Sequence, residues 1–397
     1  MKTLRIGTPR IEIVGNGRVR LCAKFVSPQG EYDCWYEVAE EYGKYLCYEV
    51  ADAFVLATLP LAMKMGWDIE LEGAMSEKLH YQLENYYIPV VARYAKNNHH
   101  IHIIGKTIVA KFESANAVAA GMSGGIDSFY TVLKHYGSEH GSYALTHLTN
   151  FNVGAHGGGG GPEARKAFLE GVKTAEEIAK ALKVPLVWVD SNLSEFVNMP
   201  HVATCTCRTL SAVLALQKLF STYYLSSAGY NVQDFNINDE DCADYDIFGV
   251  PNLSTENTTF HIFGMDARRL DKERYLAEQP VTWDYLNVCF RQTNARGCGR
   301  CEKCMRTTMG FYAMGKLGNY GKIFDLNNFN RTLPKITGYV LSHRNKSHYE
   351  DIYREMKKNN IKIPLGAYFY CVVEIGKNIV RPLYNKSTFL QGLRRLR

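Results

Sequence analysis

No stretch of this 397-residue chain is apolar for long enough to cross a bilayer. The longest, residues 53–63, is interrupted by Thr58 and Pro60 and stops at Lys64, about half of the ~20 residues a spanning helix needs. It reads as a core helix. The N-terminus has Arg5, Arg10 and Glu12 where a secretory leader would carry an unbroken apolar segment, so no export is indicated and a cytosolic protein is expected. No repeat of 20–50 residues is visible, which excludes a solenoid or propeller array. Neither sign of charge dominates, with 46 basic and 40 acidic residues giving +6. A hydrophobic fraction of 46% excludes a disordered chain, a collagen and a small disulfide scaffold.

A chain of this size can bury a large core and is expected to form more than one module. Residues 1–112 read as an α+β module: Ile11, Ile13, Val19 and Leu21 alternate with polar residues about Asn16-Gly17, a hairpin signature. Apolar periodicity predicts helices at 51–65 and 76–96 and a strand at 101–109. From residue 113 the rhythm becomes strand, turn, helix. Strands are predicted at 117–122, 143–149, 185–190 and 259–263, and helices at 128–136, 163–182 and 209–225. That alternation predicts an α/β domain over 113–325 with a doubly wound parallel sheet. The extension 326–397 predicts a helix at 347–358 and a strand at 367–373. Between residues 331 and 397 there are 14 basic and 4 acidic residues, a solvated face or a contact for a polyanion.

The segment Ser123-Gly124-Gly125-Ile126-Asp127-Ser128 lies between a buried strand and a helix, where open α/β sheets bind ligands. Gly124 and Gly125 let the backbone approach a phosphate. The amides that open the helix aim donors and a positive dipole end at an anion. Ser123 and Ser128 add hydroxyls, and Asp127 can hold Mg²⁺ or fix the loop. The string is neither a Gly-x-Gly-x-x-Gly dinucleotide turn nor a Walker loop, since no Lys-Ser/Thr pair closes it.

Eleven cysteines are an odd number, and four crowd into Cys289, Cys298, Cys301 and Cys304. Thiolates with two-residue spacers converge on one ion, and four protein ligands leave no position for water. A structural zinc site is expected; an iron–sulfur cluster uses the same donors.

The six-residue loop resembles the signature of the PP-loop ATP pyrophosphatases, the adenine nucleotide α-hydrolases. Its pairing with a late cysteine knuckle resembles the 7-cyano-7-deazaguanine synthases within that group, over about residues 116–316. The resemblance implies a Rossmann-like fold, zinc on the four cysteines and cleavage of ATP between its α and β phosphates. It also implies that Arg208 contacts the nucleotide or pyrophosphate and that Lys272, with Arg268 and Arg269 close by, meets the phosphates. The chain departs from the family around Arg208, where Cys205-Thr206-Cys207-Arg208 stands in place of Pro-Gly-Arg-Asn, so a different substrate side is implied.

Asp190 and Asn192, at the end of the third strand of this domain, and His147 and Asn150, at the end of the second, sit where adenine or ribose contacts are expected. Cys205 and Cys207 open a helix, where a dipole lowers a thiol pKa, or else serve as buried apolar groups. Three functions follow as expectations. The first is an ATP-dependent ligase that adenylylates a carboxylate or amide oxygen of a small molecule for a nitrogen nucleophile. The second is a sulfurtransferase working through Cys205 or Cys207. The third is a nucleic-acid-binding module using the knuckle and basic tail. Ligase chemistry needs ATP, Mg²⁺ and a small-molecule acceptor, with no membrane; a homo-oligomer is compatible with it.

Overall fold

The computed structural model describes residues 2–157, 159–228, 231–289 and 297–386. Gly158 of the glycine run, residues 290–296 before the last three knuckle cysteines, and residues 387–397 of the basic segment lie outside the described residues. The chain forms two compact units, Met1–Ala267 and Arg268–Arg397.

Among the described residues the first unit is α/β, built on one sheet of eleven strands. In chain order these are β1 (Lys2–Ile6), β2 (Arg10–Gly15), β3 (Arg18–Ser27), β4 (Gly30–Ala39), β5 (Trp67–Ser76) and β6 (Ile103–Ile108). They are followed by β7 (Ala117–Gly121), β8 (His147–Phe151), β9 (Leu186–Ser191), β10 (Phe220–Ser226) and β11 (Thr259–Phe263). Six pairings are parallel and four antiparallel, so the sheet is mostly parallel.

One half of the sheet runs β9-β8-β7-β10-β11, all parallel. Ala117, Val118, Ala119 and Ala120 of β7 are all buried, the continuous apolar run of a strand covered on both faces. The chain order reverses at β7, with β8 and β9 on one side and β10 and β11 on the other. At such a reversal the connections leave neighbouring strands in opposite directions and open a crevice beyond their C-terminal ends.

The N-terminal residues extend the same sheet. β4 pairs antiparallel with β9 at Tyr36↔Ser191 and Glu37↔Asp190, and the sheet continues through β3, β1, β5 and β6, with β2 on β3. The hairpin expected at Asn16-Gly17 is present: Ile11 pairs with Leu21 and Ile13 with Val19, and both turn residues have the positive φ such a turn requires. The core helix is Asp52–Met65, buried on nearly all sides. Thr58 is accommodated because its hydroxyl donates to the Phe54 and Val55 carbonyls.

Several expectations shift. The helix expected over 209–225 is Cys205–Ala215, and Phe220–Ser226 is a strand. Its Thr222, Tyr223 and Tyr224 pair on both edges, with β7 and β11, and this pairing overrides a helical apolar spacing. The second strand of the parallel half starts at His147, because Ser138–Tyr143 forms a tight turn kinked at Gly141. The helix expected over 76–96 changes pitch at Leu83–Tyr87.

The second unit is helical throughout its described residues. Its helices are Arg269–Ala277, Pro280–Tyr285, Glu302–Ala313, Leu326–Ser342, Ser347–Lys358 and Leu365–Lys386. The strand expected at 367–373 lies inside the last of these. Ala367 is buried and Tyr370, Cys371 and Glu374 half-buried, while Tyr368, Phe369 and Val372 are exposed, a one-sided spacing of three and four residues that only a helix satisfies. Gly338 of Leu326–Ser342 makes the contact close, since a Cβ there would approach the Ala367 carbonyl to 2.7 Å. No described helix is long and apolar enough to cross a membrane.

Candidate phosphate loop and metal centre

The segment 123–128 leaves the C-terminal end of β7, at the reversal of strand order. Gly124 adopts φ +76°, a left-handed conformation that glycine takes without a Cβ penalty. Gly125 then precedes the helix Ile126–His135, whose first residue has no side-chain cap, so the opening amides have no intrahelical partner. Two hydroxyls shape the turn. Ser123 Oγ lies 3.1 Å from Ser128 Oγ and accepts from the Gly125 N–H at 3.3 Å, while Ser128 Oγ donates to the Gly125 carbonyl at 3.0 Å. Ser123 is exposed, Asp127 half-buried and Ser128 buried. The turn therefore exposes Ser123 while hydrogen bonds hold Ser128 inside.

The neighbouring strand ends differ in role. Asn150 of β8 donates to the Met122 carbonyl at 3.3 Å and braces the base of the turn. His147 opens β8 and does not end it, since it pairs with Ala119 while Thr149 pairs with Gly121; it lies at the edge away from the loop, and burial lowers its pKa. Asp190 is buried at the end of β9, where it accepts from Asn152 at 2.7 Å and pairs with Arg165 Nε at 2.6 Å. Asn192 bonds the backbone of β4, accepting from Trp35 N–H and donating to the Asp33 carbonyl.

Arg208 lies in the first turns of Cys205–Ala215 and is fully buried. Its guanidinium donates to the carbonyls of Val153 at 3.5 Å and Met199 at 3.2 Å. Among the described residues no carboxylate pairs with it, and desolvation lowers its pKa to about 10. Cys205 does open this helix, but its Sγ lies 3.2 Å from Cys242 Sγ; this hydrogen bond and burial hold the thiol well above its ordinary pKa. Burial pushes Cys207 up to about 12. Both are thiols at neutral pH, the form that is not nucleophilic.

In the second unit, Cys289, Cys298, Cys301 and Cys304 place their sulfurs within 4.8 Å of one another. Gly299, with φ +61°, turns the chain between two of them. Cys301 caps the helix Glu302–Ala313, its sulfur accepting from the Cys304 N–H at 3.5 Å. Burial raises the pKa of Cys298, but the N–H groups of Arg300 and Cys301 and the neighbouring thiols outweigh it and bring it down to about 6. Four soft donors at this separation fit one tetrahedral zinc ion, whose Zn–S distances of about 2.3 Å require such convergence. Lys272 falls in the same unit, almost fully buried in Arg269–Ala277.

Two polar residues near Arg208 carried no recognisable pattern in the sequence: Ser194 and His201, each with a buried side-chain atom lacking a hydrogen-bond partner. Only the density of glycine from Gly154 to Gly161 marks the place. A comparison of the chain with known proteins finds no matching family model, no matching curated protein and no matching solved structure.

Proposed function

We propose that the chain is an ATP-dependent ligase of the PP-loop type. In this reading the turn 123–128 holds the triphosphate of ATP, with the amides opening Ile126–His135 and the hydroxyls of Ser123 and Ser128 directed at its oxygens. A carboxylate or amide oxygen of a small molecule attacks the α-phosphorus. The bond to the bridging oxygen breaks, pyrophosphate leaves, and an acyl- or imidyl-adenylate remains. A nitrogen nucleophile then adds at carbon and displaces AMP, a far better leaving group than oxide. Catalysis on this account is positional and electrostatic: donors fixed before the reaction surround charge that develops during it.

The observation that supports this most is the coincidence of the Ser-Gly-Gly-Ile-Asp-Ser string with the switch point. The uncapped helix follows the first strand of the parallel half where ligands of open α/β sheets collect. Asp127, half-buried in the first helical turn, is the carboxylate suited to hold Mg²⁺, which would supply neutralisation of phosphate charge. Zinc on four cysteines would be structural. The reading draws on the first unit for chemistry and calls on no contact from Lys272.

Release of pyrophosphate from ATP, assayed over a panel of small carboxylic acids, tests the reading. Ser123→Ala and Asp127→Ala are each expected to lower it by about 10² or more. Release that both variants leave unchanged rejects the site.

A further inference from the structure

The helix Leu365–Lys386 carries an apolar stripe on the side turned away from its packing contact. Leu365, Tyr368, Phe369, Val372 and Ile375 follow one another at spacings of one, three and four residues, and all five are exposed, Leu365 by 89%, Phe369 by 68% and Val372 by 69%. The opposite side is the one that packs, with Ala367, Tyr370 and Cys371 against Gly338 of Leu326–Ser342. From Leu365 to Ile375 the stripe runs about 15 Å along the helix. A contiguous apolar patch of this kind marks a surface that meets another body.

Positive charge stands at both ends of the stripe. Lys362 is exposed just ahead of Leu365. At the other end Ile375 and Asn378 form one wall of an open cleft of about 590 Å³, and the turn after Leu326–Ser342 forms the rest, with His343, Arg344, Asn345 and Lys346. Arg344 and Lys346 are exposed. Arg344 meets the Leu341 carbonyl at 3.4 Å and the Tyr353 ring, and among the described residues no carboxylate pairs with it. The nearby acid, Glu374, is already paired with Lys377 at 2.6 Å. The cleft is therefore a cationic recess that opens beside Ile375, the last apolar residue of the stripe.

We infer that this face docks on an anionic phospholipid surface, with the stripe entering the acyl boundary and the cleft taking a phosphate headgroup. An amphipathic helix binds at such an interface through buried apolar area together with attraction between its basic flank and anionic lipid. Side chains exposed to this degree form a ridge, which suits a soft planar medium, whereas a partner helix is held in a groove. Leu365, Val372 and Ile375 have no ring on which a base could stack, which disfavours a nucleic acid. A second copy would bring together two segments of 14 basic and 4 acidic residues each, and residues 387–397 hold three arginines and no acid, so like charge disfavours both as occupants of the cationic cleft. The contact is peripheral, since no described helix is long and apolar enough to cross a membrane. It adds a surface contact to a chain whose proposed ligase chemistry needs none, and it stands whether or not the turn 123–128 binds ATP.

Co-sedimentation of the full chain, without nucleotide, with vesicles of phosphatidylcholine alone and of phosphatidylcholine mixed with phosphatidylglycerol tests this. Affinity for the mixed vesicles is expected to exceed that for phosphatidylcholine by about tenfold or more and to fall as salt is raised. Phe369→Ser should weaken it by about tenfold or more and Arg344→Glu by about tenfold. Both variants should keep the melting temperature of the unaltered chain, because both side chains are exposed. Equal affinity for the two kinds of vesicle, or binding to the mixed vesicles that Phe369→Ser leaves unchanged, overturns the inference. Absence of binding to either overturns it too; a dimer that Phe369→Ser dissolves then assigns the stripe to a second copy, and filter retention of tRNA assigns the basic cleft to a nucleic acid. Because no nucleotide enters the experiment, its failure is separate from failure of the ATP reading.

Discussion

Tyr36 on β4 stands opposite Ser191 on β9, and through this pair the N-terminal antiparallel strands and the parallel strands become one sheet. Polar bonds lock the seam: Ser191 Oγ donates to the Trp35 carbonyl at 2.8 Å, and Tyr36 donates to Ser211 at 2.8 Å in the core. The edge of β9 is thereby paired at Asp190 and Ser191. Removal of residues 1–112 is expected to expose that edge and the core face of Cys205–Ala215, giving an aggregated product. Size-exclusion chromatography and far-UV circular dichroism of residues 113–397 check this; a monodisperse, folded fragment contradicts it.

Gly124→Ala forces a side chain into φ +76° at roughly 1–2 kcal/mol. The thermal midpoint should fall by only a few degrees, whereas a turn that binds phosphate by its backbone should lose nucleotide affinity by about tenfold or more. Calorimetry with an ATP analogue measures the second effect and a melting curve the first.

The four cysteines predict one zinc ion per chain by elemental analysis. Cys301→Ser and Cys304→Ser are expected to lose the metal and lower the melting temperature, and a chelator should do the same to the unaltered chain, because ligation is linked to folding. Iron with a visible charge-transfer band in place of zinc contradicts the assignment.

Asp246 is buried, and desolvation raises its carboxyl to about 7 against the bond it accepts from Thr206 at 2.7 Å. Its folded pKa lies above the unfolded value of about 3.8, so the folded state binds more protons between the two. Stability from this group is present below about pH 4 and is lost as pH rises towards 7. Asp246→Asn should remove this loss. Denaturant titrations should show the variant gaining stability at pH 7.5, by at most about 4 kcal/mol, and none at pH 4.

β7 and β9 were legible because they carry unbroken apolar runs at 117–120 and 186–189, and the helix Gly161–Leu182 because its buried residues form a one-sided stripe. The turn 123–128 and the cysteine cluster were legible because each falls within one short stretch of sequence. What was hidden is non-local. β10 reads as a helix until its two neighbouring strands are known. β4 and β5 take their pairing from residues far along the chain, with the seam at Tyr36 and Ser191 formed by residues 155 positions apart. The packing of Ser194, His201 and Arg208 around Gly154 brings together side chains scattered over 15 residues in three elements, and no spacing rule joins a serine, a histidine and an arginine to that glycine. Its one trace, the glycine run, marks conformational freedom alone.

If the turn 123–128 holds ATP as proposed, it exposes the innermost phosphorus to attack. The most direct measurement is the fate of ATP labelled at its α-phosphate, incubated with the full chain, magnesium and the carboxylic acid that gives the highest turnover. Label is expected in AMP or in an adenylylated acceptor, with one pyrophosphate released for each. Label found in ADP, with inorganic phosphate as the second product, contradicts it.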